Sequence, residues 1–312
     1  MAKKQLQNKI AESKLTLPVV SLYAMAVWLL CGAITRQWWL QFGGFVMATY
    51  LMILLNNFNA LIRIFSRMVS CSFIVLFCTA CFLFPSAYGA VLQVCYVGSL
   101  LFLFATYQDK EAAGIVYYAF LLMGIATMHD SFLLCYLPVI WLLMATQLQS
   151  FSARTMGASI LGLLTPYWVV ACLLIFNKDI AALTRLLPDW NSFIPTFDYA
   201  AITDSQTATW ALIVLMTVTG IIHYIRKHHD DRIRTRLLFG FFIWIELATF
   251  LFMAAMPQHN DSLMRLAIVN VAPLIGHFIA LSGNRLTNIY FCVIALLIFL
   301  ITGYNIWTSY LS

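Results

Sequence analysis

From Thr287 to Trp307 the chain runs for 21 residues without an Asp, Glu, Lys or Arg, and similar apolar runs recur along most of its length. As a helix rising about 1.5 Å per residue, such a run is roughly 30 Å long, the thickness of the hydrocarbon core of a bilayer. Hydrocarbon offers no water to the backbone, so a crossing segment must pair its amides within a helix or belong to a closed barrel. Barrel strands alternate apolar and polar residues; these runs are continuous, so helices are expected. The whole chain agrees, being 62% apolar and 10% charged with mean hydropathy +0.88, against roughly 45–50% and 25% in soluble domains.

The expected fold class is all-α: a polytopic transmembrane helical bundle of about eleven helices, ten to twelve, forming a single domain over 1–312 with a cytoplasmic amino terminus. The runs fall at about 17–35, 38–56, 69–86, 90–106, 112–128, 131–146, 156–176, 208–226, 237–256, 263–281 and 287–307. The fifth and sixth are short for a full crossing and also fit a tight hairpin or partial re-entry. Threading eleven crossings places fourteen of the 18 Lys and Arg residues on the amino-terminal side, leaving Arg36, Lys178, Arg185 and Arg265 on the other. Basic residues collect on the cytoplasmic side, which sets the orientation.

The net charge of +6 is therefore a topology signal, and nucleic acid is not an expected partner; the bilayer is. The amino-terminal segment 1–16 carries Lys3, Lys4, Lys9 and Lys14, in the manner of a signal peptide. The apolar run after it is too long and lacks a small-residue cleavage site, so it reads as a retained first helix. All eight cysteines lie in apolar runs, and Cys78-x-x-Cys81 lacks the further ligands a metal or redox site needs. No metal and no cofactor is expected. The longest connection, 177–207, is extracytoplasmic in this topology and reads as a structural loop on the membrane or a substrate lid; its 179–187 stretch suits an interfacial helix, and Trp190, Phe193, Phe197 and Tyr199 suit a headgroup belt.

Four groups of residues invite a chemical reading. Asn59, Arg63 and Arg67 recur every four residues over Asn56–Met68, predicting a helix along the cytoplasmic headgroups whose Arg63 and Arg67 are topological anchors or contacts to a lipid phosphate. The 226–236 loop, Arg-Lys-His-His-Asp-Asp-Arg-Ile-Arg-Thr-Arg, contains tandem His and Asp, yet neighbouring side chains on a short loop diverge and no third ligand follows at a fixed spacing. It reads as a positive-inside determinant.

Glu246 lies near the middle of the ninth run, where an ionised carboxylate is expensive and must face protein or water. Counting back from the Pro257–Asp261 turn puts Asn270 at the same depth, with His277 on the Asn270 side of the tenth run. This intramembrane set is either a functional site or a structural pairing. At the extracytoplasmic helix ends stand His129, Asp130, His259, Asp261 and Arg265. Capping explains such residues at helix termini. If they converge, a His and an Asp could act as acid and base while Arg265 clamps a phosphate, which suits transfer chemistry on a polyprenyl-phosphate-linked or other anionic lipid.

The segment Leu101–Phe176, with Thr106-Tyr-Gln-Asp-Lys-Glu, the run Ile115–Pro138 and Leu161-Gly-Leu-Leu-Thr-Pro-Tyr, together with His259–Gly276, resembles a family of multi-pass inner-membrane proteins of Bacteroidota known as a domain of unknown function. The resemblance implies a Gram-negative cytoplasmic membrane and brings no activity and no catalytic residues. A fainter similarity is to membrane glycosyltransferases that use polyprenyl-phosphate sugars. Those place acidic residues in the first outer loop, where this chain has only Thr35-Arg36-Gln37-Trp38. Three functions follow as expectations: an enzyme or accessory factor of envelope glycan assembly using the outer cluster, a secondary transporter using Glu246 and His277, or a non-catalytic scaffold joined through Gly43, Gly44, Gly157 and Gly162. Protein partners are not indicated.

Overall fold

A computed structural model describes residues 6–178, 193–200 and 202–311. They are helical almost throughout, and among them no strand occurs. The helices are α1 (Leu6–Glu12), α2 (Thr16–Leu30), α3 (Trp39–Asn59), α4 (Met68–Thr79), α5 (Ala87–Ala105), α6 (Ala113–Thr127), α7 (Tyr136–Leu143), α8 (Ala153–Phe176), α9 (Asp204–Lys227), α10 (Ile233–Ala255), α11 (Asn260–Leu281) and α12 (Arg285–Leu311). A 3₁₀ turn, Ser131–Cys135, and a π segment, Met144–Leu148, extend α7 at its two ends. With them α7 becomes one apolar span of 18 residues.

Among the described residues, eight segments are long and apolar enough to cross a membrane, and a ninth arises if α1 and α2, bent by 92° at their junction, are taken together. Each of the eleven expected runs coincides with a helix, but α4 and α6, with 12 and 15 residues, are shorter than the roughly 17 residues a crossing usually takes. The third run is cut short because α4 stops at Thr79 and continues only as the 3₁₀ turn Cys81–Leu83.

The helix expected over Asn56–Met68 does not form. The α3 backbone turns left-handed at Ala60 (φ +46°), and the following bends bury Leu61 and Ile62 while leaving Arg63 and Arg67 exposed. Burying two apolar side chains offsets the cost of an L-residue in that region. The segment before the first run is also not bare: it holds α1. Gln7 anchors it, its Nε2 donating to the Ser282 carbonyl (2.6 Å) and to Ser282 Oγ (2.7 Å) in the turn between α11 and α12. Lys3, Lys4 and the 179–187 stretch lie outside the described residues.

The core is built around α11. The apolar window of its span is 94% buried, against 17% for α8 and 22% for α12, and α4, α5, α9 and α10 pack around it. Small residues permit the enclosure. A Cβ on Gly276 would sit 2.9 Å from the Val69 amide nitrogen on α4, and one on Gly220 would sit 2.8 Å from Leu274 Cβ. Without a hydrophobic drive between helices in lipid, such close approach supplies the dispersion contacts that hold them. Of the glycines suggested for contact with other proteins, Gly44 meets Ala90 and Gly162 meets the Tyr117 carbonyl within the chain, while Gly43 and Gly157 face open space.

Candidate functional site

The most enclosed helix is also one of the most polar. Along α11 and its first cap stand His259, Asp261, Arg265, Asn270 and His277, and the last three are at most 2% exposed. Each meets a different neighbour, and together they form three clusters at three depths.

At the far end of the bundle from α1, the α6–α7 turn carries Asp130 against the start of α11. The imidazole Nδ1 of His259 lies 3.1 Å from Asp130 Oδ1, and the Phe132 amide donates to the same oxygen over 3.2 Å. The His259 ring stacks on Phe132 at 4.5 Å. Burial pushes the Asp130 carboxyl up, but hydrogen bonds from His259, Ser262 and the Phe132 amide, with the charge of His259, outweigh it and hold the group below its ordinary value. His129 turns aside and stacks on Tyr88 at 4.0 Å. Asp261 accepts from Gln206 Nε2 (3.2 Å) on α9.

Arg265 points inward. Its guanidinium donates to the Leu83 carbonyl, which lies in the irregular turn after α4 and also accepts from the Ser86 amide at 3.4 Å, and to Gln93 Oε1 at 3.4 Å. It lies over Phe77, 5.7 Å from the ring centre, and Gly89 has no side chain to occupy its space. The structure thus brings Asp130 and His259 together as an acid–base pair, while the guanidinium is spent on the broken end of α4. Asn305 Nδ2 caps the same break by donating to the Thr79 carbonyl (2.5 Å).

Midway along α11, the Tyr96 hydroxyl donates to Asn270 Oδ1 over 2.8 Å. Asn270 stands beside Glu246, the residue that equal depth in the hairpin pairs with it. No hydrogen bond of ordinary geometry closes the gap: both Glu246 oxygens and Asn270 Nδ2 are buried without a partner. The Tyr136 hydroxyl, donating to Thr249 Oγ1 (3.0 Å), completes the cluster. The crevice lined by Tyr96, Tyr136, Leu92, Leu133 and Leu266 beside it has no room for a water-sized sphere.

At the α1 end, His277 Nε2 lies 2.9 Å from Asp231 Oδ2, and both side chains are at most 2% exposed. His277 Nδ1 has no hydrogen-bond partner, nor has either ring nitrogen of His223, whose ring centre lies 5.4 Å from that of His277. Asp231 comes from the 226–236 loop. Its neighbour Asp230 turns the other way, to Arg63 at 3.2 Å, and Arg234 donates to Asn59 Oδ1 at 2.8 Å. The loop therefore closes over this end of the bundle. Arg63 is engaged with protein, whereas Arg67 is exposed beside Phe65.

Reading along the chain overlooks Tyr96, Tyr136 and His223, and takes Asp231 only as part of the basic loop. A signal exists for one of them: Gln93, Tyr96 and Ser99 repeat every three residues inside an apolar run and are all at most 2% exposed. Among the described residues, no three His, Cys, Asp or Glu side chains are placed to share a metal ion. Chemically, each of the three clusters contains a carboxyl or imidazole able to gain or lose a proton. Asn270 and His277 stand about 17 and 27 Å along the helix axis from His259, at about 1.5 Å per residue. Comparison with protein-family models, with curated proteins and with solved structures finds no match to this chain.

Proposed function

We propose that this is a proton-coupled secondary transporter of a bacterial inner membrane, with its amino terminus in the cytoplasm. One observation carries the reading: a single enclosed helix holds protonatable groups near both ends and faces a carboxyl, Glu246, between them. Intramembrane ionisable groups of this kind are costly and mark ion pathways. Glu246 is the central proton carrier, and Asp130–His259 and His277–Asp231 exchange protons with the two aqueous faces. The orientation rests on the excess of Lys and Arg at the α1 end.

Proteoliposomes on a solid-supported membrane test this directly. A pH step should elicit a transient proton current from the wild-type protein that falls at least about tenfold in Glu246→Gln, the signature expected when the proton carrier itself is neutralised. A wild-type trace indistinguishable from protein-free liposomes would overturn the reading.

The Asp130–His259 pair favours a second reading, an enzyme or accessory factor of envelope glycan assembly acting on a lipid-linked sugar, with this pair as acid and base. The two part at the mutants. The enzyme requires Asp130 and tolerates Glu246→Gln; the transporter fails with Glu246→Gln.

A further inference from the structure

The helices α2 and α12 touch near mid-depth, where the Tyr23 hydroxyl donates to Thr302 Oγ1 (3.0 Å) and the Tyr23 ring meets Phe299 at 5.3 Å. From there toward α1 they splay. The wedge between them has a volume of about 230 Å³ and is floored by α4 and α11. It reaches from the exposed side chains of Val19 and Phe299 inward to the buried Ile294 and Ile298, so it opens sideways toward lipid. The volume is many times what one water needs, but walls such as Val75 and Ile279 offer water no bond. Only hydrocarbon fills it without cost.

Two further observations say what kind of hydrocarbon. Ser72 lines the wedge, is 7% exposed, and its hydroxyl has no hydrogen-bond partner. It stands about 6 Å into α4, four residues from the helix start at about 1.5 Å each. That is a depth suited to a lipid ester carbonyl, which is an acceptor. At the mouth, α1 lies across the end of the bundle and is tied by Gln7 to the α11–α12 turn. Lys9, Lys14 and Arg285 are exposed around that tie, and Glu12 is the one acidic residue among 6–16.

We infer that the wedge between α2 and α12 is a binding site for one anionic glycerophospholipid. One acyl chain occupies the apolar space, its ester carbonyl accepts from the Ser72 hydroxyl, and its phosphate lies among Lys9, Lys14 and Arg285. The bent α1 acts as a collar that positions the basic groups over the wedge. The site is separate from the proton-exchanging clusters and stands whether or not transport is the function.

Native mass spectrometry of the full chain, exchanged into detergent with equal amounts of phosphatidylglycerol, phosphatidylethanolamine and phosphatidylcholine of the same chain length, tests it. The wild-type protein should retain one phosphatidylglycerol. Ala295→Phe, which fills the wedge, should lower that retention about tenfold or more, equivalent to about 1.4 kcal/mol for each factor of ten. Leu296→Phe, on the exposed side of the same helix, should not. Lys9→Gln/Lys14→Gln/Arg285→Gln should erase the preference for phosphatidylglycerol. Equal retention of all three lipids by the wild type, marking adventitious annular lipid only, would overturn the site, as would unchanged retention by a monodisperse Ala295→Phe protein. Crosslinking the wild type with a phosphatidylglycerol carrying a diazirine chain needs no variant. Adducts within 68–75 and 291–299 are expected, and adducts spread evenly around the bundle would refute the site.

Discussion

His277 and Asp231, 46 residues apart in the chain, meet at 2.9 Å with both side chains shut away from solvent. The bond fastens a loop with five Lys and Arg residues, 226–236, to the end of the most enclosed helix. Removing one partner of such a pair leaves the other buried and unmatched, at a cost of about 3–5 kcal/mol. Asp231→Ala should therefore lower the thermal unfolding temperature in detergent sharply. Asp231→Ala/His277→Ala should lose less than the two single changes added together, with a coupling of about 0.5–3 kcal/mol. Strict additivity would show that the pair contributes nothing.

Glu246 behaves in the opposite way. Its oxygens have no partner to lose, so Glu246→Gln should change stability by no more than about 1 kcal/mol, the scale of one neutral hydrogen bond. Proton-dependent current should disappear all the same. A Glu246→Gln protein that fails to fold would reveal a structural carboxylate.

Two glycines on α8 give a matched pair. A Cβ on Gly162 would collide with the Tyr117 carbonyl of α6, while one on Gly157 meets nothing within 4 Å. Gly162→Ala should cost about 1–3 kcal/mol, as overpacking does. Gly157→Ala should be neutral or stabilising, since Ala is favoured over Gly in a helix by about 0.8–1 kcal/mol. Unfolding scans of the two variants side by side provide the check.

Acid should act through Asp130. Its carboxyl is held below the ordinary 3.8, so the stability it contributes is complete above that value and is lost as the pH falls through the lowered one. Unfolding temperature followed from neutral pH to pH ~3 should drop at the acid end, and the drop should be smaller in Asp130→Asn. Identical acid profiles would show that the His259 contact does not favour the ionised form.

The membrane class and the positions of the apolar helices are legible from hydropathy because the solvent for each segment is a local matter. So is the depth match of Glu246 and Asn270, which follows from a short turn and a fixed rise per residue. The left-handed turn at Ala60 is not legible, because alanine carries none of the Gly or Asn signal for that conformation. Nor is the inward turn of Arg265. It depends on a helix break almost two hundred residues earlier that exposes the Leu83 carbonyl. The role of Asp231 is hidden for a similar reason: its sequence neighbours are charged loop residues, and its partner is on another helix.

The enclosure of α11 bears on how the chain is made. A nascent helix with Asp261, Arg265, Asn270 and His277 partitions poorly into bare lipid, where a central charged residue alone opposes insertion by about 2.5–3.5 kcal/mol. By the time α11 leaves the ribosome, the groups that will receive it, the Leu83 carbonyl, Gln93 and Tyr96, have already been synthesised. The early helices are the solvent into which the late one dissolves, and chain order is thereby part of the folding mechanism.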